Sequence, residues 1–206
     1  MLLFFVLISA FIMVNKDIKM PDEKKIDFGP LKNLIGTWEG DKGLDISPEP
    51  EGTEESKYYE TIKFEAVGDV KNAESQTLII IRYLQIVKRK SNDETFHDET
   101  GYWIWNPEDN SIMLSFSIPR GVSVLSGGSF EQLKNDELKF NVSAKLNAPD
   151  WNILQSPFMK KNAKTIEFNR EFIFSAKKLT YYQETVLEIY GKTFKHTDKN
   201  ELIKVE

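Results

Sequence analysis

Residues 137–146 read ELKFNVSAKL, and the alternation inside this stretch decides the fold class. Leu138, Phe140, Val142, Ala144 and Leu146 fall on one side, with Lys139, Asn141, Ser143 and Lys145 on the other. Successive side chains of a strand point to opposite faces, so this pattern marks a strand with one buried and one wet face. The stretch AKTIEFNREFIF (163–174) behaves alike and places Ile166, Phe168, Phe172 and Phe174 on one side.

Working outward from these two, period two holds almost to both ends. Earlier candidates are GTWEG (36–40), YYETIKFEAV (58–67), QTLIIIRYLQIVKR (76–89), ETFHDETGYWIW (94–105), SIMLSFSI (111–118) and GVSVLSGG (121–128). Later ones are KLTYYQETVLEIY (178–190) and NELIKV (200–205), which makes ten in all. NPEDN, IPRG, KND and SAKK supply turns between them. FGPLKNLI (28–35) reads as one helical turn opened by Gly-Pro, and no segment sustains a 3.6-residue apolar period. Ten antiparallel strands with short turns and no covering helices predict an up-and-down β-barrel or a two-sheet sandwich, and such a barrel has room for one small ligand. TLIIIRYLQIV is apolar on both faces; a subunit contact over its outside is one explanation, which makes a homodimer an expectation. The stretches 41–57 and 147–163 are longer than hairpins need, and loops of that kind are often functional.

Composition narrows the function. The chain has no cysteine, which removes disulfides, thiolate metal sites and thiol nucleophiles together. A net charge of −5 argues against nucleic acid as partner, since phosphates need clustered Lys and Arg. An apolar run from Leu2 to Val14 is shorter than the ~20 residues of a membrane span. Residues 1–19 are therefore either an export signal or anchor, or they precede a true start at Met20 in a cytoplasmic protein. The remainder, 20–206, fits one domain.

Only two histidines occur, His97 in FHDETGYW and His196 in TFKHTDKN. A lone histidine in a β protein is more often a hydrogen-bonded structural residue than a ligand. No nucleophile elbow, zinc-ligand spacing or phosphate-cradling glycine loop competes with them.

Five pieces in order change that balance: LIGTWEG, FHDETGYW, IPRGVSVLSGG, NAKTIEFNREF and the late histidine. Together they resemble the nitrobindin family, small calycin-like haem-binding β-barrels that include the C-terminal haem domain of THAP-type proteins. The resemblance runs from about Leu31 to Val205. Its opening Gly-x-Trp-x-Gly, here Gly36, Trp38 and Gly40, is shared with fatty-acid-binding proteins. The family's His-x-Glu-x-Gly-Tyr/Phe-Trp segment is matched by His97, Glu99, Gly101, Tyr102 and Trp103, and its Ala-Lys position by Lys164. His196 matches the histidine that ligates haem iron. What the resemblance implies is haem b on His196, Lys164 beside the propionates, His97 in the pocket, and nitric oxide or peroxynitrite chemistry at the open iron position. Trp38, Tyr102, Trp103 and Phe194 are expected to line the slot, and Asp198 or a backbone carbonyl to orient His196. A non-enzymatic carrier of an apolar small molecule is the rival reading. Two departures stand out: GTWEGDKG has an extra residue before Gly43, and the acidic LDISPEPEGTEESK follows.

Overall fold

The computed structural model describes residues 26–206, so the apolar run and Met20 lie outside the described residues. Eleven strands follow a 3-10 turn at Gly29–Leu34: β1 (Gly36–Glu49), β2 (Gly52–Asn72), β3 (Gln76–Arg89), β4 (Thr95–Asn106), β5 (Ser111–Ile118) and β6 (Val122–Gln132). After these come β7 (Leu138–Lys145), β8 (Asn152–Gln155), helix α1 (Pro157–Asn162), β9 (Ala163–Phe174), β10 (Lys178–Ile189) and β11 (Lys192–Lys204). The pairing order β5-β4-β3-β2-β1-β11-β10-β9-β7-β6 closes on itself through β5–β6. Every pair of neighbouring strands is antiparallel, so the fold is a closed ten-stranded barrel. Closure leaves only the short β8 with an unpaired edge among the described strands.

Eleven strands make ten staves because β7 and β8 share one. Both run antiparallel to β6, β7 along Gly127–Gln132 and β8 along Val122–Leu125, with residues 146–151 detouring outward between them. β8 is thus the strand that the stretch 147–163 concealed, together with α1, whose first turn is capped by Ser156 Oγ accepting from the Met159 amide at 3.3 Å. The stretch 41–57 is not a loop either. β1 and β2 pair without interruption from Leu44↔Lys57 to Glu49↔Gly52, forming a long hairpin with Pro50 and Glu51 at its tip. β11 likewise starts at Lys192 rather than 200, which puts His196 inside a strand.

Faces fall where the alternation puts them, with one class of exception. Leu138, Phe140, Val142 and Ala144 are buried. Ile166 is not among the buried residues, because the β9–β10 register slips between Val186 and Leu187 and turns Thr165 inward instead. A one-residue slip exchanges the two faces of a strand.

One end of the barrel is plugged. Leu31 and Leu34 of the 3-10 turn are completely buried, Trp38 Nε1 donates to the Leu34 carbonyl at 2.7 Å, and Lys204 Nζ donates to the Asn33 carbonyl at 2.9 Å. Gly29, at φ +47°, lies against the Trp105 ring where a Cβ would collide. Above the plug Trp103 packs against Phe140 and Phe172 at ring separations of 5.6 and 5.0 Å. Among the described residues no helix is long and apolar enough to cross a membrane.

Candidate functional site

The other end is hollow. A cavity of about 290 Å³ opens there, near the lower limit of the ~300–1,000 Å³ usual for ligand pockets. Phe116, Ile118, Val122, Val124, Phe168 and Leu187 give it an apolar wall. Arg89 and Arg120 also line it. Arg89 is held by Glu54 at 3.0 Å, whereas Arg120 donates to the Phe96 carbonyl at 3.0 Å and makes no ion pair among the described residues.

A layer of partnered polar side chains floors the cavity. Arg170, on β9, donates to both oxygens of Glu99 at 2.8 and 3.1 Å and also to Gln183. Tyr83 donates to Glu99 at 2.5 Å. Burial alone would raise the Glu99 carboxyl, but the Arg170 charge and the hydrogen bonds from His97 and Arg170 hold it well below the usual range. Beside this pair, Glu60 accepts from Gln85 at 2.6 Å, Asn200 at 2.7 Å and Tyr181 at 3.2 Å. Burial is the larger influence there and raises the Glu60 carboxyl.

Both histidines line the cavity. His97 Nε2 lies 3.4 Å from Glu99. His196 projects from the middle of β11, and its Nε2 lies 2.6 Å from Asp45 Oδ1 and 3.6 Å from Asp198 Oδ2. Burial works against the imidazolium, yet the Asp45 hydrogen bond and the two nearby carboxylates raise the His196 pKa. Burial is also the main reason Asp198 is pushed up to about 7, with the Asp45 charge adding to it. Asp198 was the expected partner of His196; Asp45 is the closer one, because β1 places it directly opposite Asp198.

The aromatic lining was misplaced. Trp38 and Trp103 are fully buried in the plugged half, and Tyr102 is 46% exposed on the outer surface. None of these three, nor the half-buried Phe194, reaches the cavity. Lys164 lies opposite Glu188 on the outside of β9 and β10 and pairs with it, while its neighbours Ala163 and Thr165 face in.

The family model described as "THAP4-like, heme-binding beta-barrel domain" matches residues 27–204, both histidines and the whole barrel included. The chain belongs to this haem-binding barrel family. A solved structure, that of Rv2717c from M. tuberculosis, is similar to this haem-binding barrel over 87% of this chain and all of its own, with a TM-score of 0.65 and 19% identity, which speaks for the fold. A search of curated proteins finds no match.

The residues present suit the family's haem. An imidazole stands on the wall of a mostly apolar hollow, and at the mouth an arginine without a carboxylate partner is available to an anionic edge. The polar floor and the Asp45 clasp on His196 are what sequence reading missed. Their signal is a charged or amide residue at an inward position, as with Arg170 between Phe168 and Phe172.

Proposed function

We propose that this barrel holds haem b in its open half with His196 as the iron ligand, and that the loaded protein binds nitric oxide and isomerises peroxynitrite to nitrate. The observation that carries the proposal is His196 on the wall of an apolar cavity, in a family whose barrels bind haem. Bound there, haem would supply an open iron position at which a diatomic or nitrogen-oxide ligand is taken up.

The chain's own residues have separable tasks. His196 must present an unprotonated ring nitrogen, so its clasp with Asp45 has to give up a proton or turn the ring as the ligand enters. After that, Asp45 and Asp198 are the oxygen partners within reach for the remaining ring N–H, which fixes orientation. Phe116, Phe168, Val124 and Leu187 exclude water from the reacting side. Arg120 offers a fork of donors for a carboxylate at the mouth. His97, steered by Glu99, presents an imidazole to the same hollow and can donate a hydrogen bond to a bound anion.

The carrier reading loses ground on the floor of the cavity. An acyl chain would lie against Glu99, Arg170, Asp198 and Asp45, and Arg170 already spends its fork on Glu99. A homodimer stays part of the proposal, with Leu84 and Tyr102, exposed on adjacent strands, as its apolar surface.

Hemin titration tests the proposal. The whole chain should give a sharp Soret band at one equivalent, and His196→Ala should broaden or abolish it. Peroxynitrite decay no faster than with free hemin would remove the catalytic part and leave haem binding standing.

A further inference from the structure

β1 changes face part-way along. Its pairing with β2 slips from Gly40↔Glu60 to Gly43↔Tyr58, which takes up Asp41 and Lys42 as a bulge. Before the slip Trp38 faces in; after it Gly43 lies against the Tyr58 ring, and Asp45 and Ser47 line the cavity. The extra residue of GTWEGDKG is therefore what turns Asp45 inward. Asp45 meets Asp198 across the β1–β11 ladder, and His196 stands two residues further along the same inward face of β11.

Three ligand atoms converge as a result. One oxygen of Asp45, one nitrogen of His196 and one oxygen of Asp198 all lie within 4.8 Å of one another. The Asp45 side chain is only 5% exposed, and His196 at 26% keeps a path to the mouth. Gln183 Nε2 donates to Asp198 Oδ2 at 3.3 Å and so orients that carboxylate from outside the trio.

We propose that Asp45, His196 and Asp198 form a site for a divalent first-row transition-metal ion of the zinc type, and that this ion competes with haem for the His196 imidazole. An imidazole with two carboxylates is a nitrogen–oxygen donor set, which suits zinc, cobalt or manganese, whereas calcium and magnesium prefer oxygen alone. A divalent cation held by a neutral imidazole, the buried Asp45 carboxylate and the part-exposed Asp198 carboxylate makes a site with no net charge. Three protein ligands leave a coordination position open toward the cavity, where water can bind. All three residues sit on hydrogen-bonded neighbouring strands rather than on loops, so the donors are held without a folding step. The metal site stands without the haem reading; the competition rests on it, because both ligands would need the same ring.

Cobalt is the probe, because its visible bands report coordination. Haem-free whole chain should bind one Co²⁺, with bands that are absent in His196→Ala. Asp45→Asn and Asp198→Asn should each weaken Co²⁺ binding by roughly tenfold or more, with folding of every variant checked by thermal melting. Zn²⁺ should displace Co²⁺ from wild type and raise the hemin concentration needed for half-maximal Soret absorbance. Wild type that binds Co²⁺ no better than His196→Ala overturns the site, as do well-folded Asp45→Asn and Asp198→Asn proteins that bind like wild type. Hemin uptake by wild type without added metal is scored separately: its absence would sink the haem reading and leave the metal result untouched.

Discussion

Followed from the plugged end toward the mouth, the inward face of β11 reads Leu202, Asn200, Asp198, His196. β2 reads Phe64, Ile62, Glu60, Tyr58, and β3 reads Ile81, Tyr83, Gln85, Val87. Strand after strand, the same stave is greasy at one end and polar in its middle. The plugged half is packed solid with aromatic rings, Phe140 edge-on to Phe174 at 4.8 Å among them. In the open half the rings give way to a hollow over charged and amide side chains, every one of which has a partner. The two halves divide the work: dispersion and burial in one hold the staves together, so the other can keep a cavity and desolvated charge. Such an open half contributes little to stability, and the proposed haem site lies in it.

The sharpest way to break this division is to remove bulk from each half. Trp103→Ala should cost about 3–5 kcal/mol in urea unfolding, since a buried aromatic leaves both lost contacts and a void. Leu187→Ala, on the cavity wall, should cost about 1 kcal/mol or less, because the space beside it is already empty. Equal losses would refute the comparison.

Next comes the floor between the halves. Glu99→Gln leaves Arg170 charged and buried without its carboxylate, and should cost roughly 3 kcal/mol at neutral pH. Glu99 is held below its ordinary pKa in the folded chain, so its stabilisation is present above the unfolded carboxylate pKa and lost as pH falls through the folded one. Denaturation at falling pH should therefore be shallower in Glu99→Gln.

A smaller effect of opposite sign belongs to the mouth. Asp198, raised from 3.8 to about 7, and His196, raised from 6.5, both hold protons more tightly folded than unfolded. Their contribution is present at low pH and is lost as pH rises, from 3.8 to about 7 for Asp198 and above 6.5 for His196. Asp45, lowered, acts only at more acid pH. Melting of the haem-free protein should fall between about pH 5 and pH 7, and Asp198→Asn should flatten that fall. Smallest of all is Lys164→Ala. An exposed pair with Glu188 is worth about 0–1 kcal/mol, and hemin affinity should not change, since the lysine points outward.

Where the sequence was readable, strand period carried it. The one-sided apolar rows of β7 and the Gly-Pro turn at 28–35 follow from side-chain direction alone, and ten staves follow from ten alternating runs. Bulges defeated the same method, because parity counted along a chain cannot see a skipped register. Ile166 ended on the face opposite to the count, and Asp45, read as part of a loop, lies on the inward face of β1 beyond a bulge. The long β1–β2 hairpin was hidden because Ser47, Pro48, Glu49, Glu54 and Glu55 look like loop residues, although cross-strand pairing satisfies their backbone. Composition also cannot tell which end of a barrel an aromatic occupies, so Trp38 and Trp103 were assigned to the site and belong to the plug. His196 was found through the family resemblance and not through spacing. Its closest partner, Asp45, lies 151 residues away in sequence, beyond the reach of any local pattern.

A crystal structure of the hemin-loaded chain would show where the porphyrin sits. One porphyrin is expected in the open half, with its iron bonded to the His196 ring and the Trp103 cluster undisturbed. Porphyrin bound on the outer surface, or iron held by any residue other than His196, would contradict that placement.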